Sequence, residues 1–222
     1  IAKVKNNRYD IRTYECLKYG SGRFREAYLL YEERKRALGK VDFEDMLLLC
    51  YALFQERPDI LRKWQEKFRY ILVDEFQDIN QVQYDVLRLL AAPEDNLFVV
   101  GDDDQSVYCF RGAKPEIMRT FLSDYPDAVR IVLDINYRST AYIVNAAERV
   151  IQRNKRRQEK TMQAHHPARE TVHVQEVKDP IEESKYIVSK YREYERRGVK
   201  PSEMAVLYRT APDVRILVET FM

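Results

Sequence analysis

The chain is poor in the residues and segments that define several protein classes. Its only cysteines are Cys16, Cys50 and Cys109, which lie far apart with no CxxC pair. This scatter argues against a disulfide framework or a zinc site and is typical of reduced thiols in a cytosolic protein. No apolar run approaches the roughly 20 residues that span a bilayer, and no signal peptide opens the chain. We therefore expect a cytoplasmic protein with no membrane partner.

The chain also has few histidines and a small net charge. The three histidines, His165, His166 and His173, lack metal-ligand spacing and are predicted to be surface residues. The formal net charge of the 222-residue chain is only +2, which neither requires nor excludes a nucleic-acid partner. Hydrophobic residues make up 45% of the sequence, which is enough to bury a core. The sequence contains neither an internal repeat nor a low-complexity tract.

Both ends of the chain suggest a piece of something longer. The sequence begins at Ile1 without a methionine and stops at Met222 inside the apolar helical pattern VRILVETFM. We expect a fragment of a larger protein, although processing or trimming would produce the same ends.

Hydrophobic periodicity predicts alternating helices and strands. Apolar residues at helical spacing predict helices over 22–38, 42–55, 59–68, 80–92, 115–125, 139–154 and 180–197, with a last helix at the C-terminal end. Short apolar runs predict strands over 70–74, 97–102, 130–134, 171–177 and 204–208.

The order of these elements indicates an α/β fold. Strands that alternate with helices and are apolar throughout are typical of a parallel sheet covered on both faces. In such sheets ligands bind beyond the carboxyl ends of the strands. Two acidic clusters, Asp74–Glu75 and 102–104, follow directly on predicted strands. We expect the functional site at that edge.

The segment VDEFQD, residues 73–78, places two carboxylates at a strand end. Asp74 at this position can hold Mg²⁺, usually through water, and Glu75 can orient and deprotonate an attacking water. Phosphoryl transfer requires both functions. The alternative is that these acids only begin a turn and cap the next helix.

The segment VVGDDDQSVYCFRGA, residues 99–113, follows the next predicted strand. Gln105 is placed to contact a terminal phosphate or its water. Tyr108, Phe110 and Arg111 suit base stacking and backbone contact on single-stranded nucleic acid. The alternative is that the two aromatic residues belong to the core.

The segment LDINYRST, residues 133–140, places an aromatic residue beside an arginine. Tyr137 can stack on a base and Arg138 can contact a phosphate. A helix start capped by Ser139 explains the same residues nearly as well.

Taken together, these segments resemble the UvrD/PcrA/Rep family of superfamily 1 DNA helicases. VDEFQD is similar to the family's Walker B-type motif, GDDDQSVYCFRGA to its third motif and NYRST to its fourth. VDFEDML, residues 41–47, and MAVLYRT, residues 204–210, resemble further family segments. The resemblance covers nearly the whole chain from about residue 22 onward.

The resemblance implies a partial RecA-like parallel sheet with flanking helices and the start of a second RecA-like domain. Residues 1–40 would be the helical end of a subdomain inserted in the first motor, 41–135 the C-terminal part of that motor, and 136–222 the N-terminal part of the second motor. ATP with Mg²⁺ would bind between the motors. The whole protein would move 3′ to 5′ along single-stranded DNA and act at junctions with duplex DNA.

The resemblance also implies roles for single residues. Asp74 would coordinate Mg²⁺, Glu75 would activate water, and Gln105 would sense the γ-phosphate and couple it to DNA. Tyr137 would stack near the adenine and Arg138 would contact the γ-phosphate. The expected DNA contacts are Tyr108, Phe110 and Arg111. The chain departs from the family pattern at Phe110, which replaces a usual tryptophan, at Cys109, where a larger or polar residue is common, and at Ile79, which replaces a usual threonine.

Parts of the family pattern are missing from these residues. No GxxxxGK[ST] loop occurs, and the fifth and sixth motifs are absent. That loop supplies the amides and the lysine that hold the β- and γ-phosphates. We therefore expect the isolated chain to hydrolyse ATP negligibly and its sheet to leave an edge and an apolar face exposed.

Two other functions stay open at this point. A metal-dependent nuclease would use Asp74, Glu75, Asp78 and Asp102 as a two-metal site. A truncated motor without catalytic activity would act as a DNA-binding module or scaffold. The run KRRQEK, residues 155–160, could contact phosphates, but a solvated linker explains its composition better.

Overall fold

The computed structural model describes residues 1–155 and 157–221. These residues form two compact units, Ile1–Pro167 and Ala168–Met222. The first unit contains the four strands found in the described residues and the three segments singled out above.

Six of the helices described in the first unit agree with predicted helices to within a few residues at each end, and one further short helix is present. The helices are α1 (Ala2–Asn6), which was not predicted, α2 (Ser21–Ala37), α3 (Phe43–Glu56), α4 (Pro58–Lys67), α5 (Gln81–Ala91), α6 (Glu116–Asp124) and α7 (Ala141–Ile151). Among the described residues, no helix is both long and apolar enough to cross a membrane.

Local capping chemistry fixes where two of these helices begin. At α3 the side chain of Asp42 accepts from the Asp45 backbone N–H, and the Asp45 side chain accepts from that of Asp42. Asn80 and Gln83 form the same reciprocal pair at α5. Each pair satisfies backbone donors that a helix start leaves without a partner. The helix predicted over 42–55 thus begins where the sequence predicts, with Asp42 as its cap.

An ion cluster ties α1 to the helices that follow it. The Lys5 ammonium lies 2.7 Å from Glu32, 2.6 Å from Asp42 and 2.7 Å from Asp45, and its side chain is only 2% exposed. Burial disfavours the charged form of Lys5, but the hydrogen bonds to these carboxylates outweigh it and raise the pKa of Lys5. The first residues of the chain are thus held against α2 and α3.

The first sheet is a parallel pair that α5 connects. Strands β1 (Ile71–Val73) and β2 (Leu97–Val99) are aligned with Ile71 opposite Leu97 and Val73 opposite Val99. Parallel strands need such a crossover connection. The carboxyl ends of both strands therefore lie at one edge, as the sequence predicts.

The core of the first unit lies on one side of this sheet. Phe76 is fully buried and packs against Tyr84 and Phe121, with Ile79 and Ile117 completing the cluster. One face of the sheet is uncovered in the described residues, as the missing family segments predict and contrary to the two covered faces that the apolar runs alone predict. Leu72 and Phe98 are 73% and 58% exposed, because alternate residues of a strand point to opposite faces and only one face is packed.

The third predicted strand of this sheet does not form. Residues 130–134 have no strand structure, and Leu133 is 78% exposed. The next strand is instead β3 (Ile135–Thr140), which pairs in parallel with β4 (Gln163–His166) in a separate two-stranded sheet. An apolar run becomes a strand only where a partner strand is available to pair with it. β3 finds such a partner in β4, which lies in a polar stretch where no strand was predicted.

The second unit contains helices α8 (Pro180–Arg196) and α9 (Val214–Phe221). Asp179 caps α8 by accepting from two backbone N–H groups, and Tyr191 of α8 meets Phe221 of α9 edge to face at 5.1 Å. The strands predicted over 171–177 and 204–208 do not form, and Val174 and Leu207 are 93% and 95% exposed. Without pairing, apolar alternation does not make a strand.

Candidate active site

Asp74 and Glu75 lie in a tight turn at the carboxyl end of β1. Glu75 adopts the left-handed conformation, with φ 51° and ψ 41°, and its backbone N–H donates to Asp74 Oδ1 at 2.9 Å. The Phe76 N–H that follows donates to the Val100 carbonyl oxygen at 2.9 Å. The buried Phe76 thus anchors the turn while both carboxylates project into solvent. Strained backbone of this kind is common at functional sites.

Gln77 connects this turn to the end of β2. Its Nε2 donates to Glu75 Oε2 at 2.7 Å, and its Oε1 accepts from the Asp102 backbone N–H at 2.9 Å. The residue is only 1% exposed, so the amide is fixed in one orientation. Sequence reasoning assigned Gln77 no role. The available signal was its place two residues after a candidate base, where an amide can hold a carboxylate.

The close approach of the two segments requires a glycine at position 101. A Cβ atom on Gly101 would lie 2.5 Å from Gln77 Oε1 and 3.1 Å from the Phe76 backbone nitrogen. No ordinary contact is that short, so the backbone of Gly101 can pass the Gln77 amide only because it has no side chain.

Substituting Gly101 with alanine should therefore destabilise the first unit by about 1–3 kcal/mol, the usual cost of inserting a methyl group into a packed site. Chemical denaturation monitored by circular dichroism measures it. Gly22→Ala is the matched control, because Gly22 lies in α2 with nothing within 4 Å of its added Cβ. That control should leave stability unchanged or raise it slightly. Equal effects of the two substitutions would contradict the assigned role of Gly101.

Gln105 joins the same hydrogen-bond chain from the other segment. Asp102 caps the short 3₁₀ turn Asp103–Gln105, and Gln105 Nε2 donates to Asp102 Oδ2 at 2.7 Å. Glu75, Gln77, Asp102 and Gln105 therefore form one continuous chain of contacts. Asp74, Glu75 and Gln105, predicted from separate segments, lie at the same edge of the sheet, and Glu75 and Gln105 are exposed.

The carboxylates of this site differ in what they can bind. The second oxygen of Asp74, Oδ2, accepts no hydrogen bond from the described residues, and Asp74 is exposed, so it fits a hard cation such as Mg²⁺. Asp102 instead accepts from Gln105, Lys160 and the Asp104 backbone N–H. Burial raises the pKa of Asp78, and the Glu75 charge raises it further. A two-metal nuclease would need Asp78 and Asp102 as ligands in addition to Asp74. Because Asp102 is already engaged and burial disfavours the charged form of Asp78, these carboxylates fit a substrate that carries one metal ion better.

The acidic tract, defined as Asp102, Asp103 and Asp104, is neutralised from within the chain. Arg157 and Lys160 both contact it, and their side chains are only 11% and 13% exposed. The prediction of a solvated linker over 155–160 is therefore wrong for these two residues, while residue 156 lies outside the described residues. Composition suggested a linker because no sequence pattern reveals that the acidic tract lies beside it.

The aromatic loop, defined as Tyr108, Phe110 and Arg111, is exposed. Tyr108 is 42% and Phe110 75% exposed, so the interpretation of these two as core residues is wrong. Their ring centroids lie 6.1 Å apart, and the Arg111 guanidinium lies 5.3 and 5.5 Å from the two rings. Beneath the loop, Asn6 Nδ2 donates to the Arg111 carbonyl oxygen at 3.3 Å. A cation and two ring faces thus share one surface.

Tyr137 and Arg138 lie on β3, in the second sheet. Tyr137 is 63% exposed, and its ring packs against His165 with centroids 4.8 Å apart. Among the described residues, no hydrogen bond or ion pair links the Arg138 side chain to Asp74, Glu75 or Gln105. The structure thus places three of the predicted nucleotide-contacting residues at the edge of the first sheet and these two on the second sheet.

Ser139 does not cap the following helix. The residue that precedes α7 is Thr140, and it makes no side-chain capping bond. The turn is formed instead by Asn136, whose Oδ1 accepts from the backbone N–H groups of Arg138 and Ser139. Both donors follow within three residues, so a short polar side chain can satisfy them locally.

Two family profiles match the sequence. The sequence profile of the UvrD/REP helicase N-terminal domain matches residues 1–126, and that of the UvrD-like helicase C-terminal domain matches residues 131–222.

Individual relatives cover most or all of the chain. The chain is 47% identical over 195 residues to the Bacillus subtilis protein named "Putative ATP-dependent DNA helicase YjcD", covering 86% of the chain and 25% of that protein. It is 37% identical to ATP-dependent DNA helicase PcrA of Staphylococcus aureus and 38% identical to that of Staphylococcus epidermidis, over its whole length and 31% of theirs. The chain thus spans a quarter to a third of the length of these relatives.

Proposed function

Because the chain belongs to the UvrD/REP helicase family, we propose that it is the central part of an ATP-dependent DNA helicase. The whole protein would couple ATP hydrolysis to 3′-to-5′ movement on single-stranded DNA and to unwinding at duplex junctions. The observation that carries this proposal is the hydrogen-bond chain from Glu75 through Gln77 and Asp102 to Gln105. It connects the residue that would activate water to the residue that would sense the phosphate.

We divide the chain among the parts of such a motor. Residues 1–40 would be the helical end of an inserted subdomain, 41–135 the C-terminal part of the first RecA-like motor domain, and 136–222 the N-terminal part of the second. The two matched family profiles, over 1–126 and 131–222, support a boundary near residue 130. A DNA substrate and three free cysteines accord with a cytoplasmic protein.

In hydrolysis the substrate would be ATP bound with Mg²⁺. Asp74, whose second oxygen accepts no hydrogen bond within the described ranges, would hold the metal, which neutralises phosphate charge when bound. Glu75 would accept the proton of the attacking water, and the Gln77 amide keeps its carboxylate aimed. Gln105 would donate the second N–H of its amide to the γ-phosphate or its water, while the first stays on Asp102 Oδ2.

Tyr137 and Arg138 would serve the same nucleotide from the second motor domain. An exposed tyrosine ring backed by His165 suits stacking on the adenine. An exposed arginine without an ion-pair partner among the described residues suits a phosphate. Their place on a second sheet fits a cleft that closes on the nucleotide, since closure of this kind completes many catalytic sites.

The aromatic loop would bind single-stranded DNA. Bases stack on aromatic faces without regard to sequence, and a guanidinium adds contact to the backbone. The loop follows Gln105 by only three residues, so a change at the phosphate can reach the DNA contact through a short path.

Replacing Phe110 with alanine should weaken binding of single-stranded DNA by the whole protein about tenfold, within the range for loss of one stacked base. Fluorescence anisotropy with a labelled oligothymidine measures the affinity. Val107→Ala is the control, because Val107 is 67% exposed in the same segment and carries no ring. Its effect should stay within about twofold. Unchanged affinity on loss of the Phe110 ring would remove this residue from the proposed DNA site.

The isolated 222-residue chain should hydrolyse ATP negligibly, with or without DNA. Its residues contain no GxxxxGK[ST] loop, so the β- and γ-phosphates would lack their main cradle. A phosphate-release assay with Mg²⁺ and single-stranded DNA provides the measurement. Robust turnover by the chain alone would refute this expectation.

The proposed function is tested on the whole protein with tailed duplexes. We expect ATP-dependent unwinding of a duplex with a 3′ single-stranded tail and much less of one with a 5′ tail. DNA binding without ATP turnover would favour a scaffold instead. Strand cleavage in Mn²⁺ without nucleotide would favour the nuclease.

A further inference from the structure

We propose that Arg157 and Lys160 are positioning residues for ATP hydrolysis. They form a cation clamp on the acidic tract that fixes the Asp102 carboxylate and, through it, the Gln105 amide. This inference rests on the proposed function of Gln105. It concerns two residues outside every segment from which the site was predicted.

The cation clamp contacts all three carboxylates of the acidic tract. The Lys160 ammonium lies 2.5 Å from Asp102 Oδ1, 2.7 Å from Asp103 Oδ1 and 3.1 Å from Asp104 Oδ2. Arg157 donates to Asp104 in a bidentate manner, from Nη2 at 2.7 Å and from Nε at 3.0 Å. The Gln158 backbone N–H adds a 2.7 Å bond to Asp103 Oδ2. Bidentate contacts of this kind fix geometry as well as charge.

Burial makes these contacts strong determinants of position. The Asp103 side chain is 1% exposed and that of Asp104 10%. Three adjacent carboxylates repel each other, and repulsion grows where water is excluded. Burial raises the pKa of Asp102, but the Lys160 ammonium and the Gln105 amide outweigh it, so the pKa is lowered and the carboxylate stays charged. Without the cations the tract would have to move toward solvent.

Asp102 transmits the position of the clamp to the site. Its Oδ1 accepts from Lys160 and its Oδ2 from Gln105, so the two contacts share one planar group. Its backbone N–H donates to Gln77, which holds Glu75. A shift of Asp102 therefore moves the Gln105 amide directly. It also weakens the contact through which Gln77 holds Glu75.

The three carboxylates of the acidic tract lie close enough together to bind a metal ion. Their contacts show that protein cations occupy them instead. At least one oxygen of each carboxylate already forms an ion pair with Lys160. The tract is thus satisfied by protein cations, and its role is to connect residues 157–160 with residues 102–105.

The first test measures hydrogen exchange on the full 222-residue chain by mass spectrometry. Lys160→Met should speed exchange over residues 101–106 at least about tenfold, as expected when hydrogen bonds to a charged group are lost. Exchange in α5 should not change, and Lys160→Arg should restore slow exchange. Lys178→Met, at an exposed lysine, is the matched control. Faster exchange throughout, α5 included, would indicate a general structural role and overturn the proposal.

The second test measures DNA-stimulated ATP hydrolysis by the whole protein. Lys160→Met should lower kcat about tenfold to a hundredfold, the usual effect of losing a supporting contact, with KM for ATP changed less than about threefold. Lys160→Arg should recover most of the activity. Arg157→Gln should give a smaller loss of the same kind.

A double variant separates this proposal from the proposed function. If the clamp acts through Gln105, Lys160→Met should cause almost no further loss in a Gln105→Ala background, because residues of one unit are not additive. Independent, multiplying losses would overturn the clamp and leave the helicase assignment intact. A wild-type protein without DNA-stimulated turnover would overturn both.

Discussion

Replacing Glu75 with glutamine should lower DNA-stimulated ATP hydrolysis by the whole protein about 10²- to 10⁴-fold, the range for a removed general base. Glutamine has nearly the same shape, and its side-chain oxygen can still accept from Gln77 Nε2, which lies 2.7 Å from Glu75 Oε2. The turn that Phe76 anchors should therefore survive. What is lost is the ability to take a proton from water.

Binding should be spared in this variant. Affinity for ATP and for single-stranded DNA should change less than about threefold, because catalysis and binding are separable when only a transition-state interaction is removed. Glu56→Gln, at an exposed glutamate near the end of α3, is the control and should keep full turnover. Turnover near the wild-type rate in Glu75→Gln would show that another group activates the water.

Substituting Phe76 with alanine should destabilise the first unit by about 3–5 kcal/mol, the range for a fully buried aromatic residue. Phe76 is 0% exposed and meets Tyr84 and Phe121 edge to face, with ring centroids 6.0 and 5.4 Å away. Alanine would leave a cavity at the centre of the cluster. It would also release the anchor beneath the Asp74–Glu75 turn.

Urea denaturation followed by circular dichroism measures this loss. Phe43→Ala is the matched control, since Phe43 is 83% exposed and its truncation should cost no more than about 0.5 kcal/mol. A similar midpoint for both variants would contradict the central place of Phe76 in the core.

The helices were predictable because their signals are local. Apolar spacing and the Asp42 cap lie within the helix they define, so reading them requires no knowledge of the rest of the fold. The short α1 was missed, because its stability comes from Lys5 contacting acids on α2 and α3 rather than from its own periodicity.

Strands were predictable only where their partners were also recognised. The runs at β1 and β2 paired as predicted, because both are apolar and a helix of suitable length joins them. Residues 130–134 have the same apolar character but no strand structure, while the polar residues of β4 pair with β3. Pairing is a long-range property that composition does not reveal.

The residues of the candidate site also fall into those with a local sequence signal and those that depend on long-range contacts. Asp74, Glu75 and Gln105 could be predicted from the acids and amide that follow apolar runs. Gln77 and Lys160 could not, because their roles consist of contacts across the fold. Lys160 meets Asp102 from 58 positions away, and only folding places an ammonium beside that carboxylate.

A crystal structure of the whole protein with Mg²⁺, a non-hydrolysable ATP analogue and single-stranded DNA tests the central claim most directly. We predict Asp74 beside the metal, with Glu75, Gln105 and Arg138 around the γ-phosphate and the Tyr137 ring against the adenine. A nucleotide bound away from the Asp74–Glu75 turn, with Gln105 and Arg138 on unrelated surfaces, would contradict the account.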